Sequence, residues 1–183
     1  FFDLPKDKNG RGATICHGIE KARGQIVVFF PSDDEYNPQN IVDLVLALKT
    51  NEYEAVFGSR SIKCLNINDR IRLIYKGKRL LYLVSKYGGI SISVLSLLLF
   101  NRFITDPLTG IKAFDRRLLK KLDLKSSGVD LETEIIAKLS LSNKYILEVP
   151  VEYRPRLSSE GKKTTILDGL STIVKLFQIR FYK

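Results

Sequence analysis

The sequence predicts an α/β fold in which a mostly parallel sheet is flanked by helices, and two observations support this prediction. Two short segments, IVVFF (26–30) and YEAVFGSR (53–60), are rich in β-branched and aromatic residues, as buried strands are. Longer segments such as IVDLVLALKT (41–50) carry apolar residues at helical spacing. Because strands that alternate with helices usually pair in parallel, this order favours a parallel sheet.

The remaining elements are expected from the same periodicities, and together they account for most of the 183 residues. A strand is expected at the start, before a polar loop. A basic amphipathic helix is expected to pass into an apolar stretch near the middle. In chain order the expected elements are a strand at 1–4, a helix at 13–22, the strand at 26–30, the helix at 41–50, the strand within 53–60, helical segments at 60–86 and 90–100, helices at 115–122 and 127–139, a strand within 146–155 and a helix at 164–183.

The composition limits the classes of function. A formal net charge of +10 points to an anionic partner, such as nucleic acid, a membrane surface or a phosphorylated substrate. Two cysteines and one histidine provide neither zinc spacing nor a disulfide framework. The longest nearly uncharged stretch, 87–101, is shorter than the roughly 20 apolar residues that span a bilayer. The aromatic residues Phe29, Phe30 and Phe57 fall in expected core strands, which disfavours a nucleic-acid-binding module.

Three consecutive acids follow the strand at 26–30. Asp33, Asp34 and Glu35 lie at the carboxyl end of that strand, where open α/β sheets place their ligands. Adjacent carboxylates repel one another, and a divalent cation with oxygen ligands relieves that repulsion. The alternative is a solvated loop that caps the next helix, with Asn37 and Pro38 as its start signals. The sequence therefore predicts either a metal site or a capping loop here.

Three other loops carry residues suited to phosphate chemistry. NGRG (9–12) opens a helix with two glycines and Arg11, and is either a phosphate-approach loop or a plain turn. TDPLTG (105–110) holds Asp106 at a turn, as a pocket carboxylate or as a simple cap. RPRLSSEGKK (154–163) is a basic loop able to close over a diphosphate, or a surface linker.

Taken in order, these segments resemble a known family. NGRGATICHGIEKARGQIVVFF, DDEYNP, FGSR, TDPLTGIKAF, ETEIIAKL, EVPVEYRPR and EGKK resemble the family-2 glycosyltransferases, which have a Rossmann-like GT-A fold. Within that family the chain is most similar to the polyprenyl-phosphate glycosyltransferases, such as the dolichol-phosphate mannose synthases. The resemblance covers essentially the whole chain. It implies inverting transfer of a hexose from a nucleotide-sugar donor to a polyprenyl phosphate, dolichyl or undecaprenyl, with Mg²⁺ or Mn²⁺ as the cofactor.

The resemblance also implies a role for particular residues. Asp33 matches the second Asp of the family's D-x-D metal motif and Glu35 a further metal-contacting position, whereas Pro31 stands where the family has the first Asp. Asp106 and Arg60 are the implied catalytic residues. The implied anion contacts are Arg60, Arg70 and Arg72 for the acceptor phosphate, and Arg11, Arg156 and Lys163 for the donor diphosphate.

The resemblance divides the chain into two parts. Residues 1–160 correspond to a partial GT-A catalytic domain whose first, nucleotide-binding strands are missing, so the chain is expected to be an incomplete fragment. Residues 161–183 correspond to a closing loop and an amphipathic juxtamembrane helix. The expected location is the cytoplasmic face of a membrane, on anionic lipid, held peripherally or by segments outside this chain; no nucleic-acid partner is expected.

Two other functions remain open on the sequence. A glycan or another lipid could be the acceptor, with Asp106 as the general base that activates its hydroxyl. A basic module that binds membranes or nucleic acid without catalysis would also agree with the positive charge.

Overall fold

The computed structural model describes residues 10–50, 52–62, 79–154 and 166–182. Its helices and strands alternate over the first half of the chain, as expected. The helices are α1 (Arg11–Lys21), α2 (Gln39–Thr50), α3 (Arg79–Phe100), α4 (Arg116–Lys121), α5 (Leu131–Leu141) and α6 (Ile166–Phe181). The strands are β1 (Ile26–Phe29), β2 (Ala55–Ser59), β3 (Lys112–Asp115) and β4 (Ile146–Pro150).

The four strands form one sheet in the order β1-β3-β2-β4. β2 and β4 pair in parallel, while β3 runs antiparallel to both β1 and β2. β1, β2 and β4 therefore point in the same direction, and their carboxyl ends meet at one edge. The α/β class with flanking helices is confirmed. The antiparallel strand β3 was not expected, because the segment TDPLTGIKAF carries no separate strand signal.

The core occupies both faces of this sheet, and alternate residues of β2 face opposite ways, as the pleat requires. Phe57 of β2 packs with Phe29 and Phe114 against the side covered by α1, α4 and α5. Val56 faces the other side, where it packs with Leu44 of α2. The Phe114 ring lies 5.1 Å from the Phe29 ring and 6.0 Å from the Phe57 ring, centroid to centroid. The sheet is thus covered by helices on both faces.

The helices α3 and α6 form an additional layer next to α5. Ile92 of α3, Ala137 of α5 and Leu176 of α6 make a separate buried cluster. None of the helices that the structure describes is long and apolar enough to cross a membrane. The helix expected at 60–86 does not begin at residue 60, because residues 60–62 form a bend and a turn after β2, and its last part, 79–86, belongs to α3. Residues 63–78 of that prediction lie outside the described residues. The expected strand at 1–4 and the proposed boundary at 160/161 lie outside the described residues.

Candidate active site

The acidic loop that follows β1 is fixed by its own hydrogen bonds. Asp34 adopts a left-handed conformation with φ of 59°, which aspartate tolerates better than most residues. The backbone N–H of Glu35 donates to Asp33 Oδ1 at 3.3 Å. Glu35 is buried, and its Oε2 accepts a hydrogen bond of 2.9 Å from the hydroxyl of Tyr153. The loop therefore exposes Asp34 to solvent and turns Glu35 towards the segment that follows β4.

Asp33 and Glu35 of this loop carry carboxylate oxygens, the donor type that a metal shared with a ligand takes. Within the described parts of the chain, no three His, Cys, Asp or Glu side chains form a group that could hold a metal ion by themselves. Mg²⁺, however, is usually bound by one or two carboxylates together with substrate phosphate oxygens. Asp33 and Glu35 supply oxygen ligands of that kind. The prediction that they hold Mg²⁺ or Mn²⁺ stays a prediction.

Pro31, which the family resemblance matches to the first Asp of the metal motif, contacts the TDPLTG loop. A Cβ added at Gly110 would lie 2.7 Å from Pro31 Cγ. Only glycine therefore fits opposite this proline ring without a shift of one of the two loops. Pro31 thus makes a packing contact at the position where the family motif has a carboxylate.

Arg60 and Asp106 form a two-pronged ion pair at the carboxyl end of β2. Arg60 Nε donates to Asp106 Oδ2 at 2.6 Å, Arg60 Nη2 donates to Oδ1 at 2.7 Å, and the backbone N–H of Arg60 donates to Oδ2 at 3.0 Å. Burial alone would raise the pKa of Asp106, but the charge and hydrogen bonds of Arg60 outweigh it and hold the pKa below its ordinary value. Asp106 is therefore an anion that fixes the guanidinium of Arg60.

The start of the TDPLTG loop is held by Glu148 of β4, whose role the sequence did not indicate. Its Oε2 accepts from the backbone N–H of Thr105 at 2.8 Å, and its Oε1 accepts from the Thr105 hydroxyl at 2.8 Å and from the Asp106 N–H at 3.0 Å. The hydroxyls of Ser59 and Thr105 are also hydrogen-bonded, at 2.7 Å. The backbone that carries Asp106 is consequently fixed to both β2 and β4.

Two tyrosines connect the ion pair to the acidic loop, and the sequence indicated neither. The guanidinium carbon of Arg60 lies 5.1 Å from the centroid of the Tyr153 ring, and Tyr36 lies against the same ring at 5.0 Å. Burial is the largest cause that raises the pKa of Tyr153, so its hydroxyl stays protonated and donates to Glu35. The structure therefore brings Glu35, Arg60 and Asp106 together through Tyr153.

The glycines of the NGRG loop approach protein backbone, which favours the plain-turn alternative over the phosphate-loop interpretation. The N–H groups of Gly12 and Ala13 donate to Ser127 O at 2.8 and 3.2 Å. Cβ atoms added at Gly10 or Gly12 would lie 2.4 Å from carbonyl oxygens of the 126–127 segment. The first turn of α1 is thus occupied by its own chain, which agrees with the plain-turn alternative.

Arg11 lies at the edge of a second region of the site. Its Nη2 is 2.7 Å from Glu132 Oε1, and its side chain is 45% exposed. It lines a cavity of about 490 Å³ between α1 and β1, to which Pro31 and Gly110 also contribute. Arg11 therefore borders the same loop that carries Asp106. The other four predicted anion contacts lie outside the described residues: Arg70, Arg72, Arg156 and Lys163.

Known proteins that are similar to this chain include two that are named for dolichyl-phosphate or dolichol-phosphate substrates. The chain is 26% identical to the UDP-N-acetylglucosamine–dolichyl-phosphate N-acetylglucosaminyltransferase of Methanococcus voltae, over 97% of this chain and 68% of that protein. It is 27% identical to the dolichol-phosphate mannosyltransferase of Pyrococcus furiosus, over 93% of this chain and 46% of that protein.

Solved structures support the fold. The glucosyl-3-phosphoglycerate synthase of Mycobacterium tuberculosis, crystallised with Mn²⁺, UDP and phosphoglyceric acid, superposes with a TM-score of 0.61 at 22% identity. That match covers 98% of this chain and 56% of the synthase, so the chain spans just over half the length of the solved structure. The fold is that of the GT-A glycosyltransferases. A family profile described as Glycosyl transferase family 2 matches residues 1–109, more than half of the sequence, and the chain belongs to that family.

Proposed function

We propose that the protein that carries this chain transfers a hexose from a nucleotide sugar to a polyprenyl phosphate, with inversion at the sugar carbon. The observation that carries the proposal is the Arg60–Asp106 pair. A guanidinium with a fixed orientation is suited to hold a phosphate, because its N–H groups match two oxygens at once. Relatives named for dolichyl-phosphate substrates support this choice of acceptor.

The state of Asp106 supports a phosphate acceptor over a hydroxyl acceptor. An ionised phosphate is already a nucleophile and needs no base. A general base works best when its pKa lies near the operating pH, whereas the pKa of Asp106 is held below the ordinary value for a carboxyl group. Both of its oxygens also accept hydrogen bonds from Arg60. The alternative with Asp106 as base is therefore less well supported.

The donor would be bound at the acidic loop and beside α1. Asp33 and Glu35 would hold Mg²⁺ or Mn²⁺, which supplies positive charge to the leaving diphosphate when it is bound. Tyr153 keeps Glu35 oriented, and Arg11 would contact the diphosphate from the cavity between α1 and β1. Arg156 and Lys163 remain proposed diphosphate contacts, and Arg70 and Arg72 remain proposed contacts of the acceptor phosphate.

We place this reaction at the cytoplasmic face of a membrane, because a polyprenyl acceptor is held in the bilayer. The net charge of +10 supports contact with anionic lipid. The exposed apolar residues of α3 and α6 support contact with the lipid interface.

The test is transfer of radiolabelled sugar to polyprenyl phosphate by the full-length protein, with a panel of nucleotide sugars. Arg60→Lys keeps a positive charge beside Asp106 but loses the two-pronged geometry, so we expect transfer to fall about a hundredfold. Arg23→Ala is the matched control: Arg23 is exposed and precedes β1, at the opposite edge of the sheet. Equal activity of Arg60→Lys and the wild type would refute the role of Arg60.

Asp106→Asn separates the two acceptor classes. If Asp106 only holds Arg60, the amide retains one hydrogen-bond acceptor and transfer should fall by about tenfold. Loss of a general base costs up to about 10⁴-fold, so a loss well beyond the hundredfold expected from disturbed Arg60 geometry would favour a hydroxyl acceptor.

A further inference from the structure

Among the lysines whose burial the structure describes, Lys112 is buried completely. Lys112 begins β3, and its side chain is 0% exposed. Its ammonium lies 4.8 Å from the centroid of the Phe57 ring and donates to Thr109 O and to Glu132 Oε2. Burial, the largest influence, lowers the pKa of Lys112, and the carboxylate of Glu132 opposes that shift.

Glu132 shares its carboxylate between two cations. It lies in the first turn of α5 and is buried. Its Oε2 accepts from Lys112, while its Oε1 is 2.7 Å from Arg11 Nη2. Arg11 is the half-exposed member of this set of three. Two cations and one carboxylate leave a net positive charge of one, and the solvent-facing part of that charge is at Arg11, beside the cavity between α1 and β1.

Stability alone does not account for this arrangement. The free-energy cost of removing two charges from water usually exceeds the free energy of their attraction. A well-packed apolar pair of similar volume is therefore often as stable or more stable. Apolar replacements at Lys112 would have an apolar side chain to pack against, since the Lys112 ammonium lies 4.8 Å from the ring centroid of the fully buried Phe57. We therefore expect the ion pair to have a role other than stabilisation of the core.

We propose that Lys112 and Glu132 are positioning residues that hold Arg11 against the TDPLTG loop, so that its guanidinium can bind the donor diphosphate. The inference rests on the proposed role of Arg11 as a diphosphate contact. Two contacts define the position: Glu132 fixes Arg11 directly, and Lys112 fixes Thr109 O at the end of the loop. A Cβ added at Gly110, the next residue, would lie 3.3 Å from Arg11 Nη2. The same buried pair thus holds both Arg11 and the end of the TDPLTG loop that Arg11 contacts.

The test is calorimetric titration of inorganic pyrophosphate into the full-length protein at low salt without metal. Arg11→Gln should weaken pyrophosphate binding by about tenfold. Lys112→Met combined with Glu132→Leu replaces the whole buried pair by apolar side chains, so it should fold and should weaken binding to the same extent. Addition of Arg11→Gln to that double variant should cause no further loss, since both changes act through Arg11.

Two further variants keep the inference falsifiable. Glu132→Asp retains a charge for Lys112 but withdraws it from Arg11, so it should also weaken binding, even if the double variant does not fold. Thr133→Val is the matched control: Thr133 is a buried neighbour on α5 whose hydroxyl donates to Asp130 O, so the change should lower the melting temperature and leave pyrophosphate binding unchanged.

The outcomes distinguish this inference from the proposed function. If Glu132→Asp binds pyrophosphate as tightly as the wild type, the positioning role alone is overturned. The same holds if the loss from Arg11→Gln and the loss from the double variant multiply when the changes are combined. Wild-type affinity of Arg11→Gln would overturn the role of Arg11 in donor binding, and the positioning role with it.

Discussion

At the scale of single residues, Asp106 shows how burial and pairing together set a protonation state. It is almost fully buried, yet three hydrogen bonds from Arg60 hold its pKa below the ordinary 3.8. A folded-state pKa below the unfolded one means that the unfolded chain binds more protons between the two values. The ion pair therefore contributes stability that is complete above about pH 5 and is lost as the pH falls through the folded-state pKa.

Asp106→Asn should accordingly destabilise the fold in a pH-dependent manner. At pH 7 we expect a loss of about 3 kcal/mol in the free energy of unfolding, because Arg60 keeps its charge without a counter-ion. As the pH falls through 3.8, the unfolded chain takes up a proton at this carboxyl before the folded protein does, so the wild type loses the stability of the pair and the difference between the two proteins should shrink. Urea unfolding at several pH values measures this; a difference that grows towards acid would contradict the assignment of the pair.

The acidic loop offers a matched pair of residues for a test of the metal site. Asp33→Asn should abolish sugar transfer and Mn²⁺-dependent donor binding in the full-length protein, because it removes one of two proposed ligand carboxylates. The fold should remain intact, since Asp33 lies on a loop and not in the core.

Asp34→Asn is the control for that substitution. It removes the same charge next to Asp33, and asparagine tolerates the left-handed backbone at this position. We expect it to retain transfer. Equal losses in the two variants would indicate a general charge effect, and retained activity of Asp33→Asn would end the metal assignment.

Single residues also show the limit of inference from sequence. Arg60 and Asp106 were both identified through the family resemblance, but nothing in the sequence indicates that they pair with each other across 46 positions. Glu132, Glu148 and Lys112 were missed, because a buried charged residue looks like a surface one when its partner is distant in sequence. Their roles follow from tertiary contacts alone.

At the scale of elements, the long apolar and periodic segments were predicted well. β1, β2, α2 and α6 lie within a few residues of their expected positions, since each has a continuous or periodic apolar signal. β3 was missed because its four residues, KAFD, begin and end with a charged side chain and so form no continuous apolar run. Its antiparallel position between β1 and β2 depends on pairing with both neighbours, which no local pattern specifies.

Helix α1 contains two glycines whose surroundings differ, and they give a prediction about packing. A Cβ at Gly12 would lie 2.4 Å from Ser126 O and 2.8 Å from Gly128 O, whereas nothing lies within 4 Å of one at Gly18. Gly12→Ala should therefore lower the free energy of unfolding by about 1–3 kcal/mol, through displacement of the 126–128 backbone.

Gly18→Ala, in the same helix, is the internal reference. Alanine is the better helix former by about 1 kcal/mol, so this change should stabilise the protein. Urea denaturation of both variants measures the difference. If Gly12→Ala is also stabilising, the contact between α1 and the 126–128 segment is not formed in solution.

At the scale of the whole molecule, α3 and α6 expose more apolar surface than their packing requires. We define the apolar ridge as Leu97 and Leu98 of α3 together with Phe177 and Phe181 of α6. These four side chains are exposed, Leu98 to 74% and Phe181 to 66%, while the opposite sides of both helices pack on α5. Arg180 precedes Phe181 in α6, and its guanidinium carbon lies 5.9 Å from the ring of Phe100 at the end of α3, so a basic residue lies between the ends of the two helices.

The last prediction concerns how this ridge behaves at a lipid surface. Each basic residue near an anionic membrane contributes about 1 kcal/mol, and the apolar side chains add to it if they enter the headgroup region. The protein should therefore float with vesicles that contain phosphatidylserine, less so at high salt.

Leu98→Asp combined with Phe181→Asp should abolish flotation at low salt. Val42→Asp combined with Leu46→Asp places the same two charges on exposed positions of α2, which covers the opposite face of the sheet, and should leave flotation unchanged. Equal flotation of all three proteins would refute the ridge as the contact surface, and no flotation of the wild type at low salt would refute peripheral membrane binding.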